Sequence, residues 1–279
     1  GKCVATYTQV IAGVTWTLNK LRAISRLLLI AGLLGLTKVR LSVCGRPAPG
    51  RPRQDAWRHA AFRFWARNAR RIIGARCHVV GHPPQPPFLL VSNHLSYVDI
   101  IILASLVDAR FIAKRDVSDW GILGPMINDV GTIFIDRNQH RDLVRVNTAM
   151  EAAFRQGQGV VFFPEGTSSP GHDVLPFKSS LFDCPARQGY PVHYASISYR
   201  TSTDGGEADE GVSWWGDMEF MPHFMQVLEI PRIHVSVVFG DAPVCARDRK
   251  ELADKLHHLV KQTLEPVIRK DISCSPQNA

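Results

Sequence analysis

The sequence predicts an α/β fold in which helices flank a largely parallel central sheet. After residues 82–87, short apolar runs alternate with segments of helical pattern, which is the order of elements in such folds. The runs are apolar on both faces, as strands buried inside a parallel sheet are. Each run ends in a polar cluster, and ligands of α/β proteins gather at the carboxyl ends of strands.

Six apolar runs are predicted as strands, and segments between them are predicted as helices from their apolar spacing. The predicted strands are residues 88–93, 109–115, 131–137, 159–166, 193–199 and 233–240. The predicted helices are Val98–Leu106, Asp142–Arg155 and Arg249–Ile268.

The composition is that of a folded protein of 279 residues. With 45% hydrophobic and 21% charged residues, it excludes general disorder, collagen-like chains and coiled coils. The six cysteines are far apart and form no C-x-x-C motif, which excludes a thiolate zinc site of the usual spacing. We therefore expect a reducing compartment and no metal.

The basic residues are concentrated at the amino-terminal end. Residues 1–76 carry 15 Lys or Arg and one acid, for a net charge of +14, whereas residues 77–279 carry −6. Such an asymmetry predicts a polyanionic partner, either nucleic acid or anionic lipid.

The apolar pattern of this segment favours lipid over nucleic acid. Residues 27–37 are uncharged and would span about 16 Å as a helix, roughly half of a bilayer core. We expect residues 1–54 to be a membrane-associating segment, with a helix or helical hairpin over 1–45 and a Pro/Gly/Arg linker over 45–55. Its Arg and Lys side chains would reach the lipid headgroups. A buried core hairpin is the alternative.

Residues 55–279 are expected to form the second domain, beginning with a basic helix over residues 57–74. In this helix Trp57, Ala61, Phe64 and Trp65 lie near one another at helical spacing, and the arginines are spread around the rest. The helix either packs on the core with a solvated arginine face or also contacts anionic headgroups.

A first candidate site follows the strand at 88–93. His94 comes directly after the apolar run, and Asp99 follows five residues later. If a helix begins near Ser96, the carboxylate can fold back onto one imidazole nitrogen and leave the other free to take a proton. Taken alone, a histidine at a strand end is more often structural.

Two further polar clusters follow other predicted strands. Glu165, Gly166 and Thr167 follow the run at 159–163, where backbone N–H groups can approach a ligand closely. Arg137 ends the run at 131–137 and is suited to a bidentate phosphate contact. The alternatives are an ordinary turn and a surface pair of Asp136 with Arg137.

Together, the three clusters resemble the signature of the glycerolipid acyltransferase family, whose best-known members are the 1-acylglycerol-3-phosphate O-acyltransferases. The resemblance covers about residues 55–245. The pattern N-H-x-S-x-x-D is met by Asn93, His94, Ser96 and Asp99; G-x-x-F-I-D-R is met by Gly131, Phe134, Ile135, Asp136 and Arg137; and F-P-E-G-T-x-S is met by Phe163, Pro164, Glu165, Gly166, Thr167 and Ser169. Two positions depart from the family pattern near the expected lipid site, Ser180 for glycine and Tyr194 for proline.

The resemblance implies the glycerolipid acyltransferase fold and acyl transfer from a thioester to the hydroxyl of a lysophospholipid. His94 would be the general base and Asp99 its orienting group. Arg137 would bind the acceptor phosphate, and Glu165, Gly166 and Thr167 would form a second acceptor-binding element. Lys114 and Lys178 are either helpers or surface charges. Acyl-CoA or acyl-carrier protein would be the co-substrate, with no cofactor and no metal.

Several further expectations stay open at this stage. Backbone N–H groups of residues 165–168 are candidates for the oxyanion site. His172 and Asp173 form a rival base pair, and residues 212–230 either line an acyl-chain tunnel or pack in the core.

The acceptor and the reaction class also stay open. The acceptor is expected to be 1-acyl-sn-glycerol-3-phosphate, giving phosphatidic acid, and a lyso-ornithine lipid is the alternative. A lipid hydrolase and a non-catalytic lipid-binding protein are the other classes; the chain has no G-x-S-x-G motif, which counts against a serine lipase. We expect the protein at the cytoplasmic face of a membrane, the inner membrane if the protein is bacterial.

Overall fold

The computed structural model describes residues 2–43, 52–115, 131–136, 140–201 and 208–267. The helices are α1 (Lys2–Val43), α2 (Pro52–Ile72), α3 (Val98–Leu106), α4 (His140–Arg155), α5 (Asp183–Gln188), α6 (Phe220–Glu229) and α7 (Arg249–Thr263). The strands are β1 (Ala75–Val80), β2 (Phe88–Ser92), β3 (Ala109–Lys114), β4 (Ile133–Ile135), β5 (Gly159–Phe162), β6 (Val192–Arg200) and β7 (Ile233–Phe239).

These strands form one sheet in the order β1-β7-β6-β2-β5-β3-β4. Neighbouring strands are parallel except for β6 and β7, which are antiparallel. The α/β fold with a largely parallel sheet is therefore confirmed. Strands β2 and β5, in the middle of the sheet, are buried along their whole length, as their unbroken apolar sequence predicts.

The elements differ from the predicted ones in several places: α2 begins at Pro52 rather than at residue 57, and α5 and α6 were not predicted as helices. β1 was not predicted because its sequence, ARCHVV, mixes a cation and a histidine with apolar residues, and its side chains alternate between buried and accessible positions. α4 begins at His140 rather than Asp142. α7 ends at Thr263 rather than Ile268, because Pro266 disfavours the helical conformation of the residue before it.

α1 is one continuous helix of 42 residues. Ala23, Ile30, Leu33 and Leu34 form a buried stripe on it, and the helix packs against α2 and α6. Many large apolar side chains of α1 remain exposed, namely Val14, Trp16, Leu18, Leu21, Ile24, Leu27, Leu28, Leu29, Leu36, Val39 and Val43. Within the described part of the chain, no helix combines the length and the hydropathy that crossing a membrane requires.

Three cations of α1 contact protein rather than project from it, which corrects the prediction that they reach lipid headgroups. Lys20 forms an ion pair with Glu229 at the end of α6. Arg22 donates to the carbonyl oxygen of Glu229 at 2.8 Å, and Arg26 donates to that of Ile230 at 2.6 Å. Cations at the carboxyl end of a helix satisfy its last carbonyl groups and the helix dipole.

α2 packs on the core, which is one of its two predicted alternatives. Phe62, Trp65, Ala66 and Ala69 are buried in the main apolar cluster. The predicted domain boundary between residues 54 and 55 falls in the first turn of α2. Residues 44–51, most of the predicted linker, lie outside the described residues.

Candidate active site

An open cleft of about 330 Å³ lies at the carboxyl ends of β2, β3 and β5. The loops that follow β2 and β5 contribute most of its lining, together with the segment before α6. Its lining residues are His94, Tyr97, Ile100, Ile112, Ala113, Lys114, Phe163, Gly166, Thr167, Ser168, Trp214, Trp215 and Gly216. The cluster around His94 and the cluster at residues 163–168 therefore meet at one edge of the sheet, as the predicted parallel strands require.

The two predicted catalytic side chains are in contact. His94 Nδ1 lies 2.8 Å from Asp99 Oδ2, and the Asp99 side chain is fully buried. The contact is local: His94 stays in the loop after β2, and Asp99 is in the first turn of α3, so the helix start turns the carboxylate back towards the ring.

Asp99 accepts hydrogen bonds from several donors. Its Oδ2 accepts from the backbone N–H groups of Leu95 at 2.7 Å and Ser96 at 3.0 Å, and its Oδ1 accepts from the Tyr199 hydroxyl at 2.6 Å. A carboxylate surrounded by donors acts as an acceptor, so the His94 proton is assigned to Nδ1. His94 Nε2 then carries the lone pair that a general base needs.

The His94 ring is also held from its face. It stacks on Phe163 with 4.2 Å between ring centroids and 17° between planes, and its side chain is 20% exposed. Asp99 and Phe163 together fix the orientation of an imidazole that still reaches the cleft.

The other polar residues of the first motif support the loop. The Asn93 side chain accepts from Ile197 N at 2.8 Å and donates to Ile197 O at 3.0 Å, so it continues the pairing of β2 with β6 beyond the strand end. The Ser96 hydroxyl accepts from Val98 N at 3.3 Å, at the start of α3.

Glu165 connects the two motif loops. Its Oε1 accepts from the backbone N–H of His94 at 2.8 Å, and its Oε2 accepts from that of Leu175 at 3.1 Å. Glu165 is 2% exposed and does not belong to the cleft lining. Ser169 N also donates to His94 O at 2.9 Å. The described contacts of Glu165 thus position His94 and Leu175.

Burial raises the pKa of Glu165 from its ordinary value of 4.5 to about 8, although its two backbone N–H partners oppose this shift. The neutral form is therefore favoured in the folded protein more than in the unfolded chain.

Gly166 and Thr167, predicted as acceptor-binding residues, do line the cleft. Gly166 has φ +80°, a conformation in which side chains are strained, so glycine suits this turn. Among the described residues, the N–H groups of Thr167 and Ser168 have no hydrogen-bond acceptor. They are available to a ligand in the cleft.

The predicted cations separate into three cases. Lys114, the last residue of β3, is exposed and lines the cleft. Lys178 is exposed and does not line it. Arg137 lies outside the described residues; Ile135, two positions before it, pairs in register with Lys114.

The rival pair is separated in the structure. His172 contacts Val267 O and Glu210, whereas Asp173 forms an ion pair with Lys261. In the part of the chain that is described, no group of three or more His, Cys, Asp or Glu side chains could hold a metal ion.

Sequence reasoning missed Tyr199 and the stacking of Phe163 on His94. Tyr199 lies 100 residues after Asp99 on β6, and no local pattern indicates a contact across that separation. The position of Phe163 directly before the P-E-G-T run could have suggested a role beside the site.

Comparisons with known proteins show the family of the chain. The model of the acyltransferase family matches residues 76–198. The chain is 33% identical to a lyso-ornithine lipid O-acyltransferase of Brucella abortus over 229 residues, 77% of this chain and 85% of that protein. It is 32% identical to a 1-acyl-sn-glycerol-3-phosphate acyltransferase of Neisseria gonorrhoeae over 193 residues, 68% of this chain and 72% of that protein.

A solved structure has the same fold. The 1-acyl-sn-glycerophosphate acyltransferase of Thermotoga maritima aligns with a TM-score of 0.60 at 18% identity, covering 89% of this chain and 97% of that one. The family match, the extent of the relatives and the shared fold agree with the motifs, and the chain belongs to the acyltransferase family.

Proposed function

We propose that this protein transfers a fatty acyl group from an acyl thioester to the free hydroxyl of a lysophospholipid, with 1-acyl-sn-glycerol-3-phosphate as the acceptor. The observation that carries the proposal is the His94–Asp99 pair, 2.8 Å apart, whose histidine lines a cleft with both polar and apolar residues. Acyl-CoA and acyl-carrier protein both present the required thioester.

The reaction moves one proton from the acceptor hydroxyl to the leaving thiolate and replaces a C–S bond by a C–O bond. His94 Nε2 takes the proton of the acceptor hydroxyl as its oxygen attacks the thioester carbonyl carbon. The new C–O bond forms, the C–S bond breaks, and the proton passes from the imidazolium to the leaving thiolate. Asp99 holds the ring in the required tautomer and stabilises the imidazolium between these steps.

The tetrahedral intermediate carries negative charge on the former carbonyl oxygen. The N–H groups of Thr167 and Ser168 border the same cleft as His94 and are our candidates for its stabilisation. Glu165 acts through His94 by fixing its backbone. In this proposal Glu165 positions the catalytic loop, and Gly166 and Thr167 provide the acceptor-binding turn.

The charges of the lining favour an anionic acceptor. Lys114 is a cation at the cleft, and no carboxylate belongs to the lining among the described residues. A phosphate headgroup would be attracted to Lys114 and, in this proposal, to Arg137. An ornithine headgroup carries an ammonium as well as a carboxylate, and the described lining offers the ammonium no acidic partner.

A lyso-ornithine lipid is the second candidate acceptor because relatives with that name match this chain as well as the phosphate-lipid enzymes do. A panel of labelled lyso-lipids, each assayed with acyl-CoA and with acyl-carrier protein, separates the two. We expect turnover of 1-acyl-sn-glycerol-3-phosphate. Turnover of the lyso-ornithine lipid alone would replace the proposed acceptor, and release of free fatty acid alone would indicate a hydrolase.

Replacing Lys114 by alanine should raise the KM for the phosphate acceptor about tenfold, the equivalent of about 1.4 kcal/mol, and leave kcat nearly unchanged. Lys178→Ala is the matched variant, since Lys178 is also exposed but does not line the cleft. Steady-state kinetics with varied acceptor measures both. If both substitutions changed the acceptor KM equally, Lys114 would have no specific role in binding the headgroup.

We also propose that the exposed apolar face of α1 associates with a membrane surface, the cytoplasmic face of an inner membrane if the protein is bacterial. The concentration of exposed Leu, Val, Ile and Trp side chains on this one helix supports the proposal. The net charge of +14 over residues 1–76 adds attraction to anionic headgroups, although Lys20, Arg22 and Arg26 are engaged with α6.

The double substitution Leu28→Glu and Leu29→Glu should weaken binding to anionic vesicles by at least about tenfold, because burying one leucine contributes about 1.5–3 kcal/mol. Val144→Glu is the matched control: Val144 is 69% exposed, close to the 68% of Leu28, but lies on α4. Vesicle flotation measures the bound fraction. Undiminished flotation of the double variant would refute the proposed surface.

A further inference from the structure

The lining of the cleft divides into a polar and an apolar group. Lys114 and the turn at residues 166–168 form the polar group, and Tyr97, Ile100, Ile112 and the two tryptophans Trp214 and Trp215 form the apolar group. An acyl chain whose carbonyl carbon reacts beside His94 must leave the polar headgroup region and lie along apolar side chains.

Tyr97 stands between this apolar group and the aromatic side chains of α6, of which Phe224 is buried and Phe220 partly buried. Its ring centroid lies 5.9 Å from that of Trp214, which also lines the cleft. It lies 5.1 Å from that of Phe220 and 6.3 Å from that of Phe224, and neither phenylalanine belongs to the lining. The tyrosine ring, together with Trp214, whose ring centroid lies 6.4 Å from that of Phe220, therefore separates the cleft from the aromatic side chains of α6.

The position of the Tyr97 ring is fixed at both ends. Its backbone is at the start of α3, three residues after His94. Its hydroxyl lies 3.2 Å from Nδ1 of His223, and both side chains are buried. Burial lowers the pKa of His223, which favours the neutral imidazole that can accept a hydrogen bond from the hydroxyl.

The segment before α6 is attached to the same loop by a second contact. Trp214 N donates to Leu95 O at 2.8 Å, one residue after His94. A ring held by its backbone, its hydroxyl and its aromatic neighbours cannot swing aside without breaking these contacts. An acyl chain that reaches Tyr97 therefore meets a fixed barrier close to the reacting imidazole.

We propose that Tyr97, held by His223, is a specificity-determining residue that limits the length of the acyl chain that the cleft accepts. The inference rests on the proposed acyl transfer and adds a determinant of chain length to it. The acyl chain that contacts Tyr97 belongs either to the thioester or to the lyso-lipid, since both molecules carry a fatty acyl chain. The aromatic side chains of α6 behind Tyr97 supply the apolar surface that a longer chain would contact once the ring is removed.

The test compares kcat/KM of the wild-type protein and of Tyr97→Ala for saturated acyl-CoA esters from decanoyl to arachidoyl, with one acceptor. A second arm keeps the thioester constant and varies the acyl chain of 1-acyl-sn-glycerol-3-phosphate. We expect the ratio of long-chain to short-chain kcat/KM to rise about tenfold in one of the two arms, since one methylene in an apolar pocket changes selectivity by about this factor. The arm that responds identifies the chain that contacts Tyr97.

This ratio does not depend on how much of the variant is folded, because an inactive fraction lowers both rates equally. Met150→Ala is the control for stability: Met150 is fully buried in the other apolar cluster, away from the cleft, and should leave the ratio unchanged. Should Tyr97→Ala fail to fold, Tyr97→Leu keeps an apolar side chain and still shortens the barrier. Tyr97→Phe retains the ring and its aromatic neighbours but loses the hydroxyl contact with His223, so its ratio should lie between those of wild type and Tyr97→Ala.

The inference would be overturned if the wild type and the variant with a smaller side chain at position 97 had the same chain-length profile as each other in each of the two arms. That outcome differs from a failure of the proposed function, in which the wild-type protein transfers no acyl group from any thioester of the panel.

Discussion

Replacing His94 by alanine is expected to lower kcat for acyl transfer by about 10²–10⁴-fold, the usual contribution of a general base. His94 is the imidazole that Asp99 and Phe163 orient towards the cleft, so its loss removes the group that takes the hydroxyl proton. The KM values should change little, because binding is assigned to other side chains and to backbone N–H groups. Initial rates with saturating thioester and acceptor measure the effect.

His172→Ala is the matched control for this prediction. His172 is the other histidine with a neighbouring aspartate in sequence, but its ring contacts Val267 and Glu210 and does not line the cleft. Its substitution should leave kcat within about twofold of wild type and affect mainly stability. Full acyl transfer by His94→Ala, or a larger loss in His172→Ala, would contradict the assignment of the base.

Replacing Glu165 by glutamine should lower kcat by about 10²-fold with little change in the KM for the acceptor. The glutamine oxygen can accept only one of the two N–H groups, and its amide nitrogen then faces the other donor. The backbone of His94 would shift, and a displacement of about 1 Å at a catalytic group is enough for such a loss. A rise in the acceptor KM at constant kcat would instead support the direct acceptor contact that the family resemblance implies.

The same variant should change how stability depends on pH. Because burial raises the pKa of Glu165 from 4.5 to about 8, its contribution to stability is fully present below pH 4.5 and is lost as the pH rises through about 8. The free energy of unfolding of the wild type relative to Glu165→Gln should fall by as much as about 5 kcal/mol across this window. Urea unfolding of both proteins near each end of the window measures the difference, and a pH-independent difference would refute the shift.

Six of the seven described strands, the shortest-range contacts and the candidate base could be predicted from the sequence. Strands β2 and β5 are unbroken apolar runs, and α3 begins and ends where its pattern indicates. His94 and Asp99 are five residues apart across a strand-to-helix turn, so local backbone geometry is enough to bring them together. Parallel strands also place their carboxyl ends at one edge, which explains why separate motifs converge.

Tertiary packing decided the contacts between residues that are far apart in sequence. Tyr199 reaches Asp99 because β6 lies beside β2 in the sheet, and this neighbourhood depends on the packing of the whole chain. Arg22 and Arg26 bind the end of α6, although charge and apolarity alone favoured lipid headgroups. Glu165 faces two backbone N–H groups rather than solvent, and only burial shifts its pKa.

The sequence by itself therefore determined the class of fold, the order of most elements and the base with its orienting carboxylate. These features depend on periodicity and on turns of a few residues, which a linear pattern encodes. The tertiary structure decided which loop residues line the cleft and which, like Glu165, are buried behind it. It also decided that α1 is attached to the end of α6 and that Tyr97 borders the apolar part of the cleft. Those features depend on contacts between segments far apart in sequence, whose free energies come from burial and packing and leave no local pattern.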